Sequence, residues 1–237
     1  MSAILPLSVR DLTFRVDGRA LLDRVSFDIE PGKCVVIMGA NGAGKSLTLR
    51  LIHGLDAPSA GTIAWRGAKA AEARLHQAMV FQRPILLRRT AAANIDYALD
   101  VRGVAKAKRA ERVTEALELV GLGDIANRPA RVLSGGERQL LALARASSLN
   151  PEVLFLDEPT ASLAPAAAKR VEQAIFAIHA AGTTIAMATH DVGQARRLAD
   201  EILFLHEGRL VERAGAREFF AAPQSREARA YLNGELI

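Results

Sequence analysis

A chain of 237 residues with half its side chains apolar can bury one sizeable core and carry an inserted subdomain, but it cannot hold two large domains in tandem. No apolar run approaches the roughly 20 residues needed to cross a bilayer, and the single cysteine, Cys34, excludes an internal disulfide and any multi-cysteine metal site. The net charge of +5 comes mainly from arginines scattered along the chain, the pattern of a solvated basic surface.

Met1-Ser2-Ala3-Ile4-Leu5-Pro6 lacks the basic flank and long apolar stretch of a secretory signal, so a cytoplasmic location is expected. Val25-Ser26-Phe27-Asp28-Ile29 alternates as a half-buried strand does, and Pro31-Gly32 turns the chain into the apolar run Val35-Val36-Ile37-Met38. Directly after that run stands Gly39-Ala40-Asn41-Gly42-Ala43-Gly44-Lys45-Ser46, the pattern Gly-x-x-x-x-Gly-Lys-Ser. Such a loop lets backbone N–H groups face phosphate oxygens, and the helix after it adds the positive end of its dipole. Lys45 would reach the β- and γ-phosphates of a nucleotide, and the Ser46 hydroxyl would hold Mg²⁺. The helix from Lys45 closes at Gly54.

Ile63-Ala64-Trp65 and Ala78-Met79-Val80-Phe81 read as further short strands, followed by Gln82, an uncharged side chain able to ligate Mg²⁺ or water. From about residue 88 to 148 the pattern turns helical: Val113, Ala116, Leu117 and Val120 share one face, and Gly121 ends it. Within this block Ser134 and Glu137 form a Ser-x-x-Glu capping box that opens a second helix with bare N–H groups, a second anion site. An ordinary capped helix gives no reason for the paired glycines Gly135 and Gly136.

Continuous apolar runs return at Val153–Leu156 and Thr184–Ala188, as in a parallel sheet covered on both faces. Asp157 and Glu158 follow the first, where open α/β sheets place their ligands, and His190 follows the second. Asp157 suits the magnesium shell; Glu158 can face an attacking water.

The order of phosphate loop, Gln82, Leu133-Ser134-Gly135-Gly136-Glu137, Asp157-Glu158 and His190 resembles the ATP-binding subunit of bacterial ABC transporters across essentially the whole chain. The resemblance implies an α/β fold: a P-loop NTPase (RecA-like) core with an N-terminal antiparallel β-subdomain, covering 1–87 and 149–237, and an α-helical subdomain inserted over 88–148. It implies a head-to-tail homodimer, with two ATP molecules between the phosphate loop of one subunit and the signature residues of the other. ATP and Mg²⁺ are the implied cofactors, integral membrane permease subunits the direct partners, and a substrate-binding protein an indirect one. The chain would be peripheral on the inner face of the membrane, and no nucleic acid is expected. Carried over residue by residue, Gly39, Ala40, Asn41, Gly42, Ala43, Gly44, Lys45, Ser46 and Leu47 would bind ATP; Ser46, Gln82 and Asp157 would hold the metal; Glu158 would be the general base, and His190 would clamp the γ-phosphate. Ser134, Gly135 and Gly136 would act in trans, and the segment from Gln82 to Arg89 would lie near the permease.

Three departures stand out. Ala164 replaces the carboxylate that usually faces the opposing subunit; Val16 occupies the place of the aromatic that stacks on adenine; and Arg138-Gln139-Leu140 replaces Gln-Gln-Arg after the signature. The stretches Phe81–Thr90 and Glu218–Ser225 are similar to those of oxyanion importers, tungstate above phosphate. The alternatives are an importer of another small solute and a soluble ATPase of the same fold acting on nucleic acid or ribosomes.

Overall fold

The computed structural model describes residues 2–235; Met1, Leu236 and Ile237 lie outside the described residues. The elements run β1 (Leu7–Val16), β2 (Arg19–Ile29), β3 (Cys34–Met38), α1 (Lys45–His53), β4 (Ala60–Trp65), α2 (Ala70–Ala73), β5 (Gln77–Val80), α3 (Ala91–Val101), α4 (Lys106–Leu119) and α5 (Gly135–Ser147). They continue with β6 (Val153–Asp157), α6 (Pro165–Ala180), β7 (Thr184–Ala188), α7 (Val192–Leu198), β8 (Glu201–His206), β9 (Arg209–Gly215), α8 (Ala216–Ala221) and α9 (Arg226–Leu232).

Two sheets result. A three-stranded antiparallel sheet has the order β2-β1-β4, and a six-stranded sheet has the order β5-β6-β7-β3-β8-β9, parallel except for its last pair. The antiparallel strands follow from the alternating pattern at Val25–Ile29; the parallel ones follow from the continuous apolar runs, and every residue of β3 and β7 is buried.

Because successive side chains in a strand point to opposite faces, the parallel sheet builds two separate cores. Cys34, Val36, Met38, Leu154, Leu156, Ile185, Met187, Ile202 and Phe204 join a core shared with α3 to α9. Val35, Ile37, Val153, Phe155, Ala186, Ala188, Leu203 and Leu205 join the other, with α1 and the antiparallel sheet. Each fully buried Leu, Ile or Phe in these layers contributes about 1.5–3 kcal/mol. The helices over 88–148 are not sealed off: Val113, Ala116, Leu117 and Val120 belong to the same apolar cluster as the sheet's helical face. Burial pushes the Cys34 thiol up to about 12, which keeps it protonated and fits a small core residue with no nucleophilic role.

Among the described residues no helix is long and apolar enough to cross a membrane. The parallel strands all end on one edge, and that edge carries Gly39 after β3, Gln82 after β5, Glu158 after β6 and His190 after β7. Open α/β sheets bind ligands at such an edge.

Candidate functional site

The loop after β3 and the first turn of α1 form the floor of the site. The Lys45 ammonium donates to the carbonyl oxygens of Gly39 at 2.8 Å and Ala40 at 3.0 Å, and lies 3.8 Å from Glu158 Oε1. Burial pulls its pKa below the usual lysine value, while the carboxylates of Glu158 and Asp157 pull it back up. The Ser46 hydroxyl donates to Asp157 Oδ1 at 2.6 Å, joining the start of α1 to the end of β6. Burial raises the Asp157 pKa, the neighbouring Glu158 adds to the rise, and Ser46 and Lys45 oppose it. A desolvated carboxylate beside a hydroxyl is a hard oxygen pair of the kind that Mg²⁺ prefers.

Glu158 sits at φ 47°, in the left-handed region that costs an ordinary residue about 1–2 kcal/mol. Its amide donates to Ala188 O at 2.9 Å, which holds the strained turn against β7. The turned carboxylate meets His190: Nδ1 lies 2.9 Å and 2.8 Å from its two oxygens. An ionised carboxylate only accepts, so Nδ1 carries the proton in this pairing. On the far side, Asp191 caps α7 by accepting from Gln194 N, and Gln194 Nε2 donates to Thr160 Oγ1 at 2.8 Å, tying the turn after Glu158 to α7.

A cavity of about 530 Å³ collects Asn41, Gly42, Gly44, Lys45, Ser46, Leu47, Gln82, Glu158 and His190. Residues from four strand ends therefore line one space, as the order along the chain leads one to expect. A second cavity of the same size adjoins the loop and is lined by Arg19, Ala20, Leu21, Ala40 to Ala43 and His206 to Gly208. Leu21 lines both; Val16, exposed at the end of β1, lines neither. A larger space of about 760 Å³ between α6 and α7 includes Leu163, Phe176 and Arg197 but no residue of the phosphate loop, so the chemistry belongs to the smaller pair.

The capping box is present in full: Ser134 Oγ accepts from Glu137 N at 3.3 Å, and the Glu137 carboxylate accepts from Ser134 N at 2.7 Å. Ser134 and Gly135 are exposed and do not line the phosphate-loop cavities. Gly136 has a reason of its own within the chain. A Cβ there would lie 2.7 Å from Ala167 Cβ, so its absence lets α5 cross α6 closely. This corrects the reading that a plain capped helix leaves both glycines unexplained.

After Gln82 the chain is firmly held. Buried Asn94 accepts from Leu87 N and donates to the carbonyls of Leu87 and Thr90, and Arg145 of α5 donates to Ile85 O at 2.9 Å. Ala164 occupies the N-cap of α6 with no side-chain cap, just before Pro165. Ala164→Asp is expected to supply the missing cap and stabilise the chain by about 1 kcal/mol, raising Tm by about 2–4 °C. Calorimetry checks this, and an unchanged Tm contradicts it.

A glycine loop between a buried strand and a helix, with an acidic strand end facing it, defines the class: a P-loop nucleotide-binding α/β protein. A family profile described as ABC transporter matches residues 22–161. The phosphate import ATP-binding protein of Natronomonas pharaonis is 38% identical over 98% of this chain and 87% of that protein. The methionine import ATP-binding protein of Nocardia farcinica is 41% identical over 93% and 70%, respectively. The tungstate uptake system ATP-binding protein of Peptoclostridium acidaminophilum is 39% identical over 88% and 98%. A solved dimeric structure of an ATP-binding cassette in a post-hydrolysis state, bound to ADP and Pi, superposes with a TM-score of 0.79 at 27% identity, covering 89% of this chain and 99% of that one. The chain belongs to the ABC transporter family, as one of its ATP-binding, ATP-hydrolysing domains.

Proposed function

We propose that the chain is the subunit that binds and hydrolyses ATP to energise an importer, working as a head-to-tail dimer beneath membrane permease subunits. The observation that carries the site is the single cavity joining Lys45, Ser46, Gln82, Glu158 and His190. In this reading the loop from Gly39 to Leu47 cradles the phosphates and Lys45 exchanges its two carbonyl partners for phosphate oxygens. Ser46, Asp157 and Gln82 hold Mg²⁺, which when bound spreads the negative charge of the triphosphate. Glu158 orients water and accepts its proton.

His190 cannot hold Glu158 through Nδ1–H and also donate to the γ-phosphate from Nε2 unless it is the imidazolium. Its contact with phosphate therefore demands either that charge or release of Glu158, and release frees the carboxylate as base. The adenine base would enter the cavity lined by Arg19, Ala20 and Leu21, with Val16 opposite Arg19 on β1. Ser134, Gly135 and the bare N–H groups of α5 complete the partner's site, consistent with their exposure and their separation from the cavities. The helices over 88–148 form the lever, and the anchored segment from Gln82 to Arg89 contacts the permease.

For the cargo, tungstate or a related oxyanion is favoured by the likeness of Phe81–Thr90 and Glu218–Ser225 to oxyanion importers, with a tungstate uptake protein among the relatives; phosphate is a second candidate through the relative named above. Deleting the gene and measuring cellular uptake of tungstate, phosphate and methionine tests this. Selective loss of tungstate uptake is expected; loss of methionine uptake alone overturns the oxyanion assignment and leaves the importer role standing. Recovery of the tagged chain with ribosomes or DNA, and with no membrane protein, overturns the importer role.

A further inference from the structure

The end of the chain returns to the catalytic edge. Buried Glu212 on β9 accepts from the amides of Gln224 and Ser225, at 2.9 Å and 2.8 Å, and from Ser225 Oγ at 2.8 Å; these donors hold its carboxyl below the usual range despite its burial. The same Ser225 hydroxyl accepts from Ala228 N at 3.1 Å and caps α9. With its start fixed in this way, α9 lays the Tyr231 ring 5.3 Å from that of Phe204 on β8. The Tyr231 hydroxyl then donates to the carbonyl oxygen of His190 at 2.9 Å. Burial pushes this phenol up to about 12, with Glu158 and Asp191 adding to the rise, so it remains a donor near neutrality.

His190 needs such support. Its imidazole is about half exposed and held by Glu158 alone among the described residues, so its aim depends on its backbone. We propose that Tyr231 is a positioning residue for ATP hydrolysis, its hydroxyl pinning the His190 backbone so that the imidazole stays at the mouth of the site, within reach of both Glu158 and the γ-phosphate. The inference rests on the roles assigned above to His190 and Glu158. It gives α9 a part in holding the site, through Tyr231, 41 residues beyond the His190 that it steadies.

The test is Tyr231→Phe in the full chain, which removes one hydroxyl and keeps the ring on Phe204. The kcat for ATP is expected to fall about 3–10-fold, the span of one net hydrogen bond, with KM for ATP changed by less than about twofold. Amide exchange at His190 and Asp191 should quicken while that of β8 is unchanged. In a His190→Ala background the same substitution should cause no further loss, because both changes remove one function. A parent kcat in Tyr231→Phe beside a slow His190→Ala overturns the inference and leaves the role of His190 intact. Losses that multiply in the double variant also overturn it, since they mean that Tyr231 acts independently of His190. A parent rate in His190→Ala overturns the role of His190 and the inference with it.

Discussion

Glu158→Gln should bind ATP and fail to turn it over. The amide keeps the shape of the carboxylate but accepts no proton from water, so a fall in kcat of about 10²–10⁴-fold is expected. The strain at φ 47° and the hydrogen bond to Ala188 O involve only backbone and are retained. Lys45 keeps its two carbonyl partners and the nearby charge of Asp157, so the phosphate loop should hold. The variant should accumulate as an ATP-bound dimer, detected by light scattering with nucleotide added. Turnover at the parent rate means that Glu158 is not the base.

Gly39→Ala should be the most damaging small substitution in the phosphate loop. Gly39 lies at φ +147°, and a Cβ built on it would sit 2.1 Å from the carbonyl oxygen of Leu205 on β8. Neither atom can yield cheaply, because β3 and β8 are hydrogen-bonded neighbours through Met38 and Phe204. The loop must lift away from the sheet, at a cost of about 2–5 kcal/mol from strain and overpacking together. Urea unfolding should show that loss, and ATP affinity should drop with it because Lys45 takes its aim from Gly39 O. A variant with the parent's unfolding midpoint and affinity contradicts the account of the loop.

Much of the site was legible because its signals are local. A phosphate loop, a capping box and two carboxylates at a strand end each lie within a few residues, and each depends on backbone geometry that its own residues set. The buried strands β3, β6 and β7 were readable as apolar runs for the same reason. Strand β1 was not, since register shifts near Arg10 and Asp11 break the alternation that marks a half-buried strand. What needs distant partners stayed hidden: the place of β3 between β7 and β8, the closeness of Leu21 to the loop, the packing of Gly136 on Ala167 and the contact between Tyr231 and His190. Val16, which the resemblance puts against the adenine base, ends β1 directly opposite Arg19, a residue that lines the cavity beside the loop.

The central claim is that a triphosphate is held between two copies, with the Lys45 loop of one facing the Ser134 helix of the other. A structure of the full-length Glu158→Gln chain with Mg²⁺ and ATP tests it most directly. The account predicts a two-fold dimer in which each γ-phosphate lies within hydrogen-bond reach of Lys45 from one copy and of Ser134 from its partner. ATP bound by Lys45 with both Ser134 helices left facing solvent contradicts it.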